Sequence, residues 1–310
     1  MKYLIFARKL KYSTILLFVS LCFSACIYDD FPTCDTTLFM NIKAVNPAGQ
    51  DITSSGEAGG AHVYIFDKNQ RFVQEIAVSA TDIQNKVPVK IFYKGRDSFS
   101  VVVWNNLNGK QEVSTLNEGM SMEQALVQLK RDTEGYAQNS DDLFYGITNI
   151  KERTANADVT IEDNVTIHRK TALVNIMVKG LDAPVLASSI TKAASDYHFI
   201  ITGTKEDAYN FKGNLTGNSI TYNQGGEFND SNTQFISYPF TMYPLSDGNR
   251  LTIAIYKGDT LIAIAETNSD GTDIIPIIGG TINILIDLRG SLTVNIKVTD
   301  WDNEYHWFEW

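Results

Sequence analysis

From Thr36 onward, apolar residues recur at every second position in short runs, each closed by Gly, Asp, Asn or Ser. A period of two is the signature of β-strands with one face in a core. TLFMNIKAV (residues 37–45) opens the series, and a Gly/Ser-rich loop, TSSGEAGG (53–60), follows it. AHVYIFDKNQRFVQEIAV (61–78) predicts a hairpin turning on Asp67, Lys68, Asn69 and Gln70. In HVYIF both faces are apolar or aromatic, as a central strand requires. VPVKIFY (87–93) and SFSVVVW (98–104) come next. One segment changes period: in SMEQALVQL (121–129), Met122, Ala125, Leu126 and Leu129 fall at i, i+3, i+4 and i+7. Ser121 and Gln124 make a capping box there, so a short amphipathic helix covering a sheet face is expected, with Met122 as core filler. Strands resume with VTIHRKTALVNIMVKGL (165–181), YHFIITG (197–203), QFISYPFTMYPL (234–245), RLTIAIY (250–256) and TLIAIAE (260–266). The last hairpin, TINILIDLRGSLTVNIKV (281–298), alternates Ile282, Ile284, Ile286 and Leu288 on one strand. Leu292, Val294, Ile296 and Val298 alternate on the other, across Arg289, Gly290 and Ser291. No repeat of 20 to 50 residues is present, which excludes a solenoid or propeller. The expected fold is all-β: two antiparallel β-sandwich domains in series, residues 36–167 and 168–310, with the boundary near His168.

The N-terminus adds a different kind of information. Lys2, Arg8, Lys9 and Lys11 precede an 11-residue apolar run, STILLFVSLCF, and the small pair Ser24, Ala25. That is a secretory signal over residues 1–25, too short to remain as a membrane span. FSAC resembles the lipobox at which bacterial lipoproteins are cleaved before a cysteine, although Phe23 replaces the usual Leu. Cys26 would then carry a diacylglycerol thioether and an N-acyl chain. Each buried methylene contributes about 0.8 kcal/mol, so two or more chains hold a protein stably where one does not. Residues 26–35 read as a lipidated acidic linker. Asp29 and Asp30 resemble the acidic export tag of Bacteroidetes surface lipoproteins, and a plain solvated linker has the same composition. Cys22 leaves with the signal and Cys26 would be acylated, so Cys34 has no cysteine left to pair with. The full chain has 26 basic and 36 acidic residues; loss of the signal's four cations leaves 22 against 36, a formal charge of −14. An acidic body excludes nucleic acid as a natural partner and disfavours anionic lipid surfaces.

Chemistry-bearing patterns are scarce. His62, His168, His198 and His306 lie far apart and outside any zinc spacing; G-x-S-x-G and phosphate-loop motifs are missing. NSDGTD (268–273) has oxygen donors that suit calcium, but not the EF-hand spacing, and Asn, Asp and Gly are ordinary turn formers. The chain does not read as an enzyme, and no cofactor beyond the covalent lipid is expected. The end of the chain is unusual instead. Trp301, Trp307 and Trp310, three of the four tryptophans, stand in the last ten residues with Tyr305 and Phe308. Alternation breaks at Asp300 and Trp301, where a bend or bulge is expected. The aromatics either fold back on the second sandwich or dock on another subunit, since Trp and Tyr serve both purposes.

Cys26 with IYDDFPTC behind it, VYIFDKNQRF (63–72), SVVVWNNLNG (100–109), DLFYG (142–146), HRKTALVNIMVKGL (168–181) and the closing VTDW (298–301) appear in one order along the chain. In these stretches the chain resembles the FimB-type fimbrial anchor lipoproteins of the Bacteroidetes, and Cys34 also fits their pattern. The resemblance implies two tandem transthyretin-like sandwiches, lipidation at Cys26, an outer-membrane surface location and a place at the base of a fimbrium. The implied partners are pilin subunits, joined by strand addition, and the membrane itself, reached through the lipid. The strand from Leu292 onward, with Val294, Ile296, Val298 and the aromatics Trp301, Trp307 and Trp310, is the expected joint. A lipid-anchored adhesin or glycan-binding module, or a tip or accessory fimbrial subunit, would share the same N-terminus. Replacing Cys26 by Ala is expected to release the protein from the membrane fraction of fractionated cells; retention of the variant there would refute acylation at this residue.

Overall fold

The computed structural model describes residues 35–95, 97–152, 159–182, 196–246 and 248–301. In the first half the strands are β1 (Thr36–Val45), β2 (Ala61–Phe66), β3 (Phe72–Val78), β4 (Val89–Tyr93) and β5 (Phe99–Asn105). β6 (Gln111–Val113), β7 (Leu126–Leu129), β8 (Phe144–Ile150) and β9 (Val159–Arg169) complete it. The second half begins with β10 (Ala172–Lys179), β11 (Tyr197–Thr204), β12 (Ala208–Asn210), β13 (Leu215–Thr216) and β14 (Ile220–Phe228). It continues with β15 (Gln234–Ser237), β16 (Phe240–Met242), β17 (Thr252–Lys257), β18 (Thr260–Ala265), β19 (Gly280–Asp287) and β20 (Thr293–Asp300). Among the described residues the only α-helix is α1 (Ala80–Gln84), capped by Ser79 and contributing Ile83 to the core.

Seven strands form the first sheet, in the order β3-β2-β5-β8-β9-β1-β4. β8 and β9 pair only at Phe144 with Arg169 and Tyr145 with His168, so the sheet folds over there and closes on itself as a sandwich. Gly146 follows directly, and a Cβ at this position would collide with the Thr166 carbonyl, which is why DLFYG ends in glycine. Leu38, Met40, Ile42, Val63, Ile65, Val101, Val103, Val165 and Ile167 fill the interior. The second sheet runs β18-β17-β11-β14-β15-β10-β19-β20, with β16 also on β10. It folds where β14 passes to β15 between Gly226 and Phe228. The expected all-β sandwiches are present, with one amendment to their antiparallel pairing. β1 lies parallel to β9, and β10 parallel to β19, because strands far apart in the chain meet side by side after each sheet curls.

Residues 121–129 depart from the expected helix. Ser121 and Gln124 do exchange capping-box bonds, each accepting from the other's backbone N–H at 3.3 Å. Only one turn forms. From Leu126 the chain extends as β7, which gains ladders from β6 on one side and β12 on the other. Those ladders outweigh a helix of two turns, which is marginal in water. Met122 is buried as expected, alongside Val127 and Leu129. The sheet thus made, β13-β12-β7-β6, takes two strands from each half of the chain. It covers the outer faces of β2 and β5, where Tyr64, Phe66, Val102 and Trp104 would otherwise meet water. Trp104 lies 4.7 Å from the Tyr145 ring and 5.7 Å from Tyr209, while Tyr64 meets Phe211 edge-on at 4.8 Å. Asp207, 1% exposed, ties this sheet by accepting from Arg131 Nη2 at 2.9 Å and Gln128 Nε2 at 3.2 Å.

A buried guanidinium marks the crossing between the two sandwiches. Arg169 ends β9; Lys170 and Thr171 intervene, and β10 begins. The Arg169 side chain, 2% exposed, donates from Nε to Asp142 at 2.7 and 2.9 Å and from Nη2 to Asp142 and Glu57, both at 2.8 Å. Thr171 Oγ1 adds a bond to Asp142 at 3.2 Å, and its carbonyl accepts from Gly279 N–H at 2.8 Å, which reaches the second sheet. Partial burial pushes the Glu57 carboxyl up, but bonds from Arg169 and Ser55 outweigh it and hold the group below its usual 4.5. Because the folded value is the lower one, this pair stabilises the protein fully above that range and loses its contribution as pH falls through the lowered value. Arg169→Met preserves the volume and strands both carboxylates, which keep some water. It is expected to cost roughly 2–3 kcal/mol in urea unfolding and to flatten the acid-side fall in stability. An unchanged midpoint and an unchanged acid limb would remove Arg169 as the junction's fastening.

Candidate functional site

β20 is an edge strand: β19 lies on one side, and no strand pairs with the other among the described residues. Its hairpin turn is held by Asp287, which accepts from the Arg289 backbone at 3.0 Å and from Arg289 Nε at 2.9 Å. The guanidinium beside it keeps the Asp287 carboxyl at about 2. Ser269 occupies the outer edge of β20 at one point, donating its N–H to the Val294 carbonyl and accepting from Val294 N–H, both at 2.8 Å. Backbone groups alternate in an antiparallel ladder, so those that point outward belong to Val294, Ile296 and Val298. Ser269 takes the first of these residues and leaves the other two. The side chains divide as well: Val294 is buried, Ile296 half-buried, and Leu292 and Val298 exposed. Of the expected joint residues, Val294 therefore serves the core, Ile296 packs partly against it, and Leu292 and Val298 remain at the surface.

Trp301 follows the strand in a turn, where the bend was expected, and its ring lies 4.1 Å from the Arg169 guanidinium carbon. Phe144 stands 4.7 Å from the same carbon. The first aromatic of the terminal cluster thus packs within the chain, against the junction. Trp307, Trp310, Cys26, Cys34, Asp29 and Asp30 lie outside the described residues.

Both sandwiches have an open side between their two edge strands, and the sides are finished differently. In the first, α1 connects β3 to β4 and buries Ile83, and Gln74 of β3 donates across the gap to the Phe92 carbonyl of β4 at 2.8 Å. In the second, a cavity of about 570 Å³ lies between Ile264 and Ala265 of β18 and Leu292 and Val294 of β20, floored by the polar loop that leads from Glu266 to Gly271. β18 itself has only β17 beside it among the described residues, and Leu261, Ile262 and Ile264 are 46%, 41% and 41% exposed. Sequence reasoning passed over these three residues. TLIAIA reads as any buried strand, and its edge position is set by sheet order, which no local pattern encodes.

The arrangement offers backbone ladder groups and apolar side chains rather than reactive ones. Among the described residues no group of three or more His, Cys, Asp or Glu stands close enough to hold a metal ion. In NSDGTD, Asp270 accepts from the Thr272 backbone at 2.9 Å and from its hydroxyl at 2.6 Å, the bonds of a turn. Those bonds hold the Asp270 carboxyl below the usual range.

Comparison with known proteins agrees with this picture. Residues 31–307 match the family model described as Fimbrillin-A associated anchor proteins Mfa1 and Mfa2. Two strains of Porphyromonas gingivalis have a major fimbrium anchoring subunit FimB that is 31% and 30% identical over 298 residues, 96% of each chain. The solved structure of the fimbrial anchor protein Mfa2 from Porphyromonas gingivalis superposes with a TM-score of 0.65 at 17% identity, covering 86% of this chain and 98% of that one. At that identity the superposition speaks for the fold, whereas the family match spans nearly the whole sequence. The chain belongs to the Mfa2 family of fimbrillin-associated anchor proteins.

Proposed function

We propose that this chain is a surface-exposed outer-membrane lipoprotein, acylated at Cys26, that anchors and terminates a fimbrium by strand addition with its first pilin subunit. The observation that carries the reading is the unequal finishing of the two sandwiches. One is sealed by Gln74 and α1, and the other leaves two edge strands beside an open cavity. Strand addition draws affinity from main-chain hydrogen bonds and register from pockets for alternate side chains. The outward groups of Ile296 and Val298, with Leu292 and Trp301 nearby, supply both on β20. The family match supports the anchor role, and the lipobox at Cys26 with Asp29 and Asp30 behind it supports the placement at the surface.

Termination follows from topology. A subunit whose N-terminus is held in a bilayer presents a single growing end, so a fibre joined to it extends outward only. Deleting the gene is expected to leave fibres assembled but shed into the medium, measured by electron microscopy and by pilin content of the supernatant. Fibres that stay attached while adhesion alone falls would replace the anchor reading with that of a surface adhesin.

A further inference from the structure

β18 breaks a rule that sheet edges normally obey. Natural edge strands are protected by lysines, prolines, bulges or a covering segment, because an exposed apolar edge pairs with whatever strand it meets. Thr260–Ala265 holds no charge and no proline, and three of its six side chains are large, aliphatic and exposed. Its one irregularity is a register shift against Ile255 and Tyr256, near its start; Ala263, Ile264 and Ala265 pair regularly with β17. The residues it turns toward the interior are small: Ala263 and Ala265 pack against the core. Ala265 also borders the 570 Å³ cavity, whose other walls are the polar loop that follows β18 and Leu292 and Val294.

We infer that β18 is the acceptor edge for an extended segment of another protein, whose inward side chains, at alternate positions, continue the apolar layer begun by Ala263 and Ala265. The outward side chains of that segment would run beside Ile262 and Ile264. Charge selects the occupant further. Asp259 and Glu266 bracket the strand, and Arg250 stands 3.7 Å from Glu266 while also serving Asp273 at 3.3 Å. A segment with basic residues at its ends matches those flanks. A second copy of this chain does not: the antiparallel register that overlaps all of β18 sets Asp259 of each copy against Glu266 of the other, and like charges directly opposite are destabilising. The chain's formal charge of −10 opposes self-association as well. That the segment belongs to a fibre subunit rests on the anchor reading; the surface itself does not.

The test uses the full chain and a labelled twelve-residue peptide that alternates Ile and Thr between terminal lysines. Saturable binding by fluorescence anisotropy is expected, with slowed amide exchange at residues 260–265. Combining Ile262→Lys with Ile264→Lys should weaken binding about tenfold or more, the equivalent of ~1.4 kcal/mol, whereas Val73→Lys on the edge strand β3 should not. Asp259→Lys with Glu266→Lys should shift preference to the same peptide ended in glutamates. Unchanged exchange at 260–265 under saturating peptide, binding indifferent to the lysines, or a β18-dependent dimer in sedimentation would each overturn the proposal. In cells, fibres that stay attached despite the paired lysines, with peptide binding lost in vitro, would leave the acceptor edge standing and remove the first pilin as its occupant.

Discussion

The structure depends on a ladder between strands from opposite halves of the chain. β7 and β12 pair at Leu126 with Asn210, Val127 with Tyr209 and Gln128 with Ala208. Without that pairing the outer faces of β2 and β5 would set Tyr64, Phe66, Val102 and Trp104 in water, an aromatic surface far larger than a soluble protein tolerates. With it, one core continues from Trp104 through Tyr209 and Phe211 into the second sandwich. Backbone bonds set the relative position of the halves, and aromatic packing makes the position costly to leave. Arg169 adds a charged fastening at the same crossing, with its carboxylates from Asp142 and Glu57 and its rings from Phe144 and Trp301.

This construction suits a protein that transmits load. On the proposed reading, force would enter at a lipid-bearing N-terminus and leave through a subunit joined to the second sandwich, so it would pass between the halves. A flexible linker there would yield first. The third sheet instead spreads the junction over several strands and a buried ion network, and rupture requires exposure of apolar surface at about 25 cal/mol per Å². The open side of the second sandwich lies beyond this junction in sequence, so a partner added there would pull on a body already braced against the first.

Edge chemistry separates the two sandwiches more sharply than their folds do. Gln74, reaching 2.8 Å to the Phe92 carbonyl, and the short helix α1 close the first. The second ends on β18 and β20, which differ in turn: β20 lends Val294 to the core and to Ser269, while β18 keeps a row of aliphatics with no charge and no proline among them. A strand left in that condition is normally an aggregation hazard. Its presence over an inner face of small residues, Ala263 and Ala265, is consistent with a segment that arrives from elsewhere.

Alternation at period two was enough to place β1, the β2–β3 hairpin, β5, β11 and the β19–β20 hairpin, because each strand buries one face and local polarity records which. The same local reading mistook residues 121–129. Met122, Ala125, Leu126 and Leu129 satisfy a helical spacing, and Val127 and Leu129 satisfy a strand; the choice fell to β6 and β12, the latter some eighty residues away. The short strands β12 and β13 and the polar middle of β14 left little trace, since their pairing relies on backbone groups that every residue carries. The acidic body and the all-β class belong to the sequence alone, as does the proposal of a lipid at Cys26. The parallel pairs, the shared third sheet, the meeting of Arg169 with Trp301 and the edge positions of β18 and β20 were decided only in three dimensions. Side-chain order along a chain encodes which face is buried, but not which strand lies next to which.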